Sequence, residues 1–538
     1  MKKKFMAIML IAAMSVGLIA CGSKSDSGSN KTDKKVLSVQ LGPNPETLDP
    51  ALNSAIDGGN MILHAFECLL TLDQDGKPKA GQAEKWESSK DGLTWTFHLR
   101  DGLKWSDGSD LTANDYVYSF KRVADPNTGA PYAATVLGMV EGFEEANKGD
   151  LDKLAVTALD EKTVQIKLSA PCTYFDSVIA FATLSPVNQA TIEANGDSWA
   201  TAPESYISNG PFKITEWVPG SYITMSKNEN YWDKDSIKLD ELKFVLMEDS
   251  NAAYNAYKSG DVLMIKDVPT EEIPKLKGKE DFSVEPIIGT YYLSLNLKEE
   301  AFKDARVREA LSLAIDRDYV ANTIMQGTYT PAYSLFGPGW LDTDGKDFAE
   351  NSNGGKGFIG EDHAANVEKA KQLLKEAGYE NNLSFSYLIN DAAYNKPVAE
   401  YLQKAWAEIG VKLQVEIVEW SSFIPRCQNG EFDAACNGWV GDYTDPSNML
   451  EIFESGNGNN DGKYNSAEFD KQLDISRKTT DLKERSEALH KAEEILMNDA
   501  AIIPLAYYND FWLQSKKVTG SWHSPMGYWY FMYADITE

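Results

Sequence analysis

The sequence predicts an α/β body carrying an inserted, more β-rich lobe, and three observations predict it. The chain has 538 residues, 43% of them hydrophobic and 25% charged, enough to bury a large core and more than one domain usually takes, so two or three domains are expected. Residues 70–190 alternate like strands, with Trp95, Phe97 and Leu99, and later Val164, Ile166 and Leu168, separated by polar neighbours. Val307, Ala310, Leu311, Ala314 and Ile315 recur at i, i+3, i+4, i+7 and i+8, the stripe of a helix packed on a core.

Taken from the start, the chain opens with a targeting segment that stands outside the fold. Lys2, Lys3 and Lys4 precede an apolar run from Phe5 to Ala20 that is short for a membrane span. The run ends in Leu18-Ile19-Ala20-Cys21, which resembles a lipobox; that resemblance implies cleavage before Cys21 and acylation of its thiol. Residues 22–35, GSKSDSGSNKTDKK, are small or polar and predict an unfolded tether with a reach of about 20 Å. Cleavage removes three lysines and no acid, moving the formal charge from −29 to −32. Nucleic acid is excluded as a partner on that charge. Cys68, Cys172, Cys427 and Cys436 show neither a CxxC nor a metal-ligand spacing.

No repeat, proline-rich linker or low-complexity run interrupts Val36 to Glu538, so boundaries come from pattern changes. Beyond the β-rich stretch and the 307–315 stripe, LSFSYLI (383–389) predicts a strand, with a helix from about Asn366 or Pro397. Gly410 is a stop, and VKLQVEIVEW (411–420) a second strand. Strand, helix, glycine and strand make a βαβ unit.

Catalytic chemistry finds no support: HExxH, GxSxG and Walker A patterns are absent, and the five histidines at 64, 98, 363, 490 and 523 are unclustered. Asn457, Asn459, Asp461, Gly462 and Glu468 nearly spell an EF-hand loop, with Asn in place of the first Asp. The competing reading is a polar, glycine-rich loop leading into a helix near Phe469. No metal and no cofactor are expected.

Four segments then carry a resemblance. WTFHLRDGLKWSDGSDLTANDYVYSFKR (95–122), NGPFKITEWVPGSYITMSKNENYWD (209–233), FKDARVREALSLAIDRDYV (302–320) and GWVGDYTDP (438–446) follow one another as in the oligopeptide-binding proteins of ABC importers, solute-binding family 5. From about Leu41 to near the C-terminus the chain resembles that family. The resemblance implies a three-domain clamshell: lobe I from 37–67, 191–288 and 509–538, an extra domain at 68–190, and lobe III at 289–508. It follows a signal peptide (1–20) and tether (21–36), with hinge crossings near 288 and 508. It also implies a monomeric receptor, held on the outer face of a bacterial membrane through Cys21, that passes short peptides to permease subunits with a cytoplasmic ATPase.

The resemblance further implies a site. Asp442 matches the carboxylate that pairs with the peptide α-ammonium, and an ammonium leaving water needs such a partner; the competing reading is a turn-capping residue. Gly438, Trp439 and Val440 match an extended segment that pairs with the peptide backbone. Ser54 and Ile56 match the facing segment. Tyr132 and Trp420 are read either as pocket walls or as core. Arg426 matches, with a one-residue shift, an arginine that meets a ligand carboxylate. In relatives an arginine and a histidine contact the peptide C-terminus; here those positions are Cys436 and Tyr394. A cysteine pair of some relatives falls on Gly289 and Val440. The same family fold also serves dipeptides, nickel chelates and sugars, and a surface enzyme or adhesin is the competing class.

Overall fold

The computed structural model describes residues 34–537 apart from 355, 356, 361 and 393. The targeting segment, Cys21 and most of the tether therefore lie outside the described residues. Lys35 onward forms one compact unit.

One large sheet runs through that unit. At its near end, Val36–Gln40 lies parallel to Glu241–Val245 and to Met264–Ile265, and Tyr222–Lys227 and Phe212–Val218 extend it antiparallel. Leu37 and Val39 are fully buried beneath it. At its far end, Leu383–Asn390 pairs in parallel with Val411–Val418 over eight residues, from Leu383↔Val411 to Asn390↔Val418. Between these two strands runs the helix Asn395–Glu408, ended before Gly410 at φ 81°, a left-handed turn that glycine makes without strain. This is the expected βαβ unit. The helix His363–Glu376 precedes the first of these strands, so the two suggested helix starts, Asn366 and Pro397, belong to two different helices. The 307–315 stripe is also a helix, Ala305–Leu313, capped by Asp304 and buried along Val307, Ala310 and Leu311.

Two long strands join the ends. Phe282–Leu295 and Ile502–Gln514 run antiparallel side by side, and their register breaks between Pro286↔Asn509 and Thr290↔Tyr507. A bulge there twists the ribbon locally, and it falls where the chain was expected to cross between lobes. The apolar core divides at the same place. Among the described residues, one large buried cluster draws on 37–246 and 512–534 with Met264 and Tyr443, a second on 288–506 with Met526, and a small third on 253–276 with Leu513.

Residues 70–190 depart from the mainly-strand expectation. The alternation does build a four-stranded antiparallel sheet, with Trp95↔Ile166 and Phe97↔Val164 opposed, but helices fill much of the rest. Ala113–Ala124 is a twelve-residue helix because Thr112 and Asp115 form a reciprocal capping box. Tyr116, Phe120 and Val123 then bury one face. Its β-prone aromatics sit at helical spacing, and packing overrides their propensity. The inserted region also shares the first large core with the near end of the sheet instead of forming its own.

Candidate functional site

The strand Ala434–Val440 builds the centre of the site. On one side it pairs antiparallel with the crossing strand, from Gly289↔Val440 to Leu295↔Ala434. On the other it meets the 383–390 strand only at Ala434 and Ala435, so beyond Ala435 that second edge has no strand beside it among the described residues. Gly441 donates its N–H to the Ile288 carbonyl at 2.7 Å. Ladder alternation then turns Asn437 and Trp439 toward the crossing strand, and the peptide groups of Gly438 and Val440 toward the open edge. Tyr508 lies across this strand: a Cβ on Gly289 would come within 2.9 Å of its ring, and one on Gly438 would collide with its hydroxyl. The two glycines make room for that ring. Gly289 and Val440 are directly opposed, as the cysteine pair of some relatives would require.

Past the strand, the loop 441–446 is tied down by side chains other than Asp442. Asp445 takes the turn-capping bonds, accepting from the Ser447 N–H at 3.0 Å and hydroxyl at 2.7 Å. It also forms a buried bidentate pair with Arg485 at 2.7 and 2.8 Å. Tyr443 stacks on Tyr174 of the inserted region, centroids 5.2 Å apart. Asn448 holds the site together: its carbonyl oxygen accepts from the Trp439 indole at 2.9 Å and the Asp442 N–H at 3.1 Å, while its amide donates to the Asp442 carboxylate at 3.2 Å.

Among the described residues, that leaves the Asp442 carboxylate with two neutral donors, Asn448 and the Tyr132 hydroxyl. Burial pushes its pKa up against the pull of those two bonds, and burial together with the Asp442 charge pushes Tyr132 up to about 12. A carboxylate so placed is relieved by an incoming cation. Tyr528 closes the corner, next to both Tyr132 and Asp442, and packs on the facing helix Ile56–Ala65, where a Cβ on Gly59 would lie 2.7 Å from its ring.

Alongside the open edge lies a cavity of about 780 Å³. Gly438, Trp439, Tyr394 and Trp420 line it, with Cys436, Tyr508 and Asp461. Burial holds the Cys436 thiol neutral, at about 12, so the two positions that carry charge in relatives are a neutral thiol and a phenol. The remaining expected residues fall elsewhere. Asp442 borders a narrow crevice beside Tyr528, Tyr132 packs at a tilt on Phe181 with centroids 5.0 Å apart, Val440 lies on the open edge, and Ile56 is half-buried near Gly527 while Ser54 is exposed. Arg426 does not line the cavity; its two terminal guanidinium nitrogens, Nη1 and Nη2, donate to Glu416 at 2.7 and 3.0 Å.

The loop 457–468 is a polar loop stitched by its own amides. Asn460 donates to the carbonyls of Phe453, Glu454 and Tyr464 and accepts the Tyr464 N–H, and Ser466 caps the following helix Ala467–Lys478. Among the described residues no group of three His, Cys, Asp or Glu could hold a metal ion. No described helix is long and apolar enough to cross a membrane. Sequence reasoning missed Asn448 and Arg485, single polar residues whose roles arise from contacts only the fold creates.

The family described as bacterial extracellular solute-binding proteins, family 5, matches residues 77–461. The oligopeptide-binding protein OppA of Bacillus subtilis is 34% identical over 539 residues, 97% of each chain. Among solved structures, the unliganded open form of the murein tripeptide-binding protein MppA superposes with a TM-score of 0.81 at 28% identity, covering 94% of this chain and 98% of that one. Haemophilus influenzae OppA in complex with the peptide RPPGFSPFR gives 0.74 at 30% identity, covering 94% and 99%.

Proposed function

The chain belongs to family 5 of the bacterial extracellular solute-binding proteins, and from that premise we propose that it captures short peptides in the cleft beside residues 436–442 and delivers them to an ABC importer. The observation that carries this reading is a strand edge with no strand beside it, ending at a carboxylate that has no cationic partner among the described residues. An extended peptide can add to that edge through main-chain hydrogen bonds, which give affinity without reading sequence. Its α-ammonium then meets Asp442, and its side chains enter the neighbouring cavity. A binding role needs no catalytic group.

Closure is the expected consequence. The lobes are joined by the two crossing strands, whose register break beside Gly289 is a natural place for them to bend, and ligand held between lobes shifts an open population toward a closed one. The better fit to an open, unliganded relative than to a peptide complex agrees with an open cleft here. Small-angle scattering should show a smaller radius of gyration once a peptide digest is added. Unchanged dimensions at saturating digest would overturn the proposal.

The same reading holds the receptor at the membrane as a monomer, through an acylated Cys21, beside permease subunits. Replacing Cys21 with Ala should release it in soluble form with peptide affinity intact. Retention in the membrane fraction would defeat the anchor assignment.

A further inference from the structure

We propose that the cavity beyond Trp439 is a pocket for a cationic side chain of the bound peptide, a lysine or an arginine, with Asp461 as its specificity-determining contact. The inference rests on the peptide-capture reading above and names the kind of peptide it favours.

The cavity has room for a long side chain and an unusual balance of charge. Its described lining includes the carboxylates of Asp391, Asp461 and Asp510 and no lysine, arginine or histidine. The three are not equivalent. Asp391 is exposed to solvent. Asp510 already holds His523 Nε2 at 2.9 Å. Asp461 accepts from the Asn437 amide at 2.9 Å through Oδ2 only, while its Oδ1 is shielded from solvent and has no hydrogen-bond partner. An acceptor withdrawn from water and left unmatched costs free energy, which a cation in the cavity recovers once the carboxylate turns to meet it. Lys463 stands close enough to act on Asp461, but its ammonium is bound to the Gln428 carbonyl at 2.9 Å.

The walls suit the same guest. Trp420 and Phe423 stack with centroids 5.8 Å apart and both line the cavity, along with Trp439 and Tyr292. Aromatic faces accept the alkyl stem of a lysine or the plane of an arginine, and they attract the charge it carries. From Val440, the last residue of the strand, to Asn437, which holds Asp461, is three residues of extended strand, about 10 Å at roughly 3.3 Å per residue, and Asp442 lies two residues beyond Val440. A peptide whose amino end sits at Asp442 therefore brings an interior residue over this pocket.

The test scans a single lysine through positions 2–5 of an alanine pentapeptide, with norleucine and glutamate as controls at each position, against wild type and Asp461→Asn by calorimetry. Norleucine keeps the stem and removes the charge. At one position lysine should bind about tenfold more tightly than norleucine, with glutamate weakest. Asp461→Asn should erase that preference and leave the norleucine peptide's affinity unchanged, which also shows that the variant is folded. A wild type that binds all the pentapeptides alike, or a lysine preference that survives Asp461→Asn, would sink this inference and leave peptide capture standing. If none of the pentapeptides binds, the capture reading fails and this one falls with it.

Discussion

Around Asp442 the loop is clamped by the Asp445–Arg485 pair, the Tyr443–Tyr174 stack and Asn448, whereas around Tyr394, Cys436 and Asp461 the cleft widens into an open volume of about 780 Å³. The clamped corner presents one carboxylate at a defined point. The wide end presents neutral or acidic groups and no cation among its described lining. On the proposed reading, a receptor built this way would read one feature common to all free peptides, the amino terminus, at that fixed carboxylate. The rest of the peptide enters a space that admits different lengths and side chains.

The largest effect should come from the clamped corner. Asp442→Asn keeps the shape but removes the charge, and peptide affinity should fall by about 2–5 kcal/mol, read by calorimetry. The same substitution should help the ligand-free protein. Burial raises the Asp442 pKa in the folded state, so this carboxyl takes stability away as pH rises through its titration. The Asn variant should therefore melt higher than wild type at neutral pH, by on the order of 1 kcal/mol, and the gap should close in acid, where Asp442 is protonated. Equal affinity in the two proteins would remove the difference between the ends of the cleft.

A smaller effect belongs to the strand between them. Gly438→Ala places a methyl group against the Tyr508 hydroxyl and should cost about 1–3 kcal/mol of stability through overpacking. Tyr508→Phe in the same chain should return most of that loss. A Gly438→Ala variant as stable as wild type would mean the ring is free to move off the strand, and the edge would be less rigid than described.

How much of this was legible in the sequence depends on how local the signal is. The 307–315 stripe and the strand, helix, Gly410 and strand after Leu383 are local periodicities, and both were built as expected. GWVGDYTDP kept its edge and its carboxylate together because strand and loop are consecutive. Thr112 and Asp115 spelled a capping box inside the supposed β-rich stretch, but Tyr116, Tyr118 and Phe120 also suit strands, and the alternation on either side concealed it. In the sequence Asp461 falls within a near-calcium motif; its place in the cavity wall with Asn437 depends on a contact 24 residues back along the chain. The pairing of Arg485 with Asp445, 40 residues apart, and the core shared by the inserted region and the near sheet are likewise products of long-range packing, which no local pattern encodes.

The contrast between the two ends is tested most directly by calorimetry on one pentapeptide in its free, N-acetylated and C-amidated forms. Acetylation removes the ammonium and leaves Asp442 buried without a partner, so affinity should fall by about 3–5 kcal/mol. Amidation should change it by less than about threefold, because with Cys436 and Tyr394 in place of charged residues the carboxyl end is left to water and neutral groups. Amidation that costs as much as acetylation would mean a cation reads the peptide's carboxylate after all, and indifference to both changes would make Asp442 a bystander; either result contradicts the account.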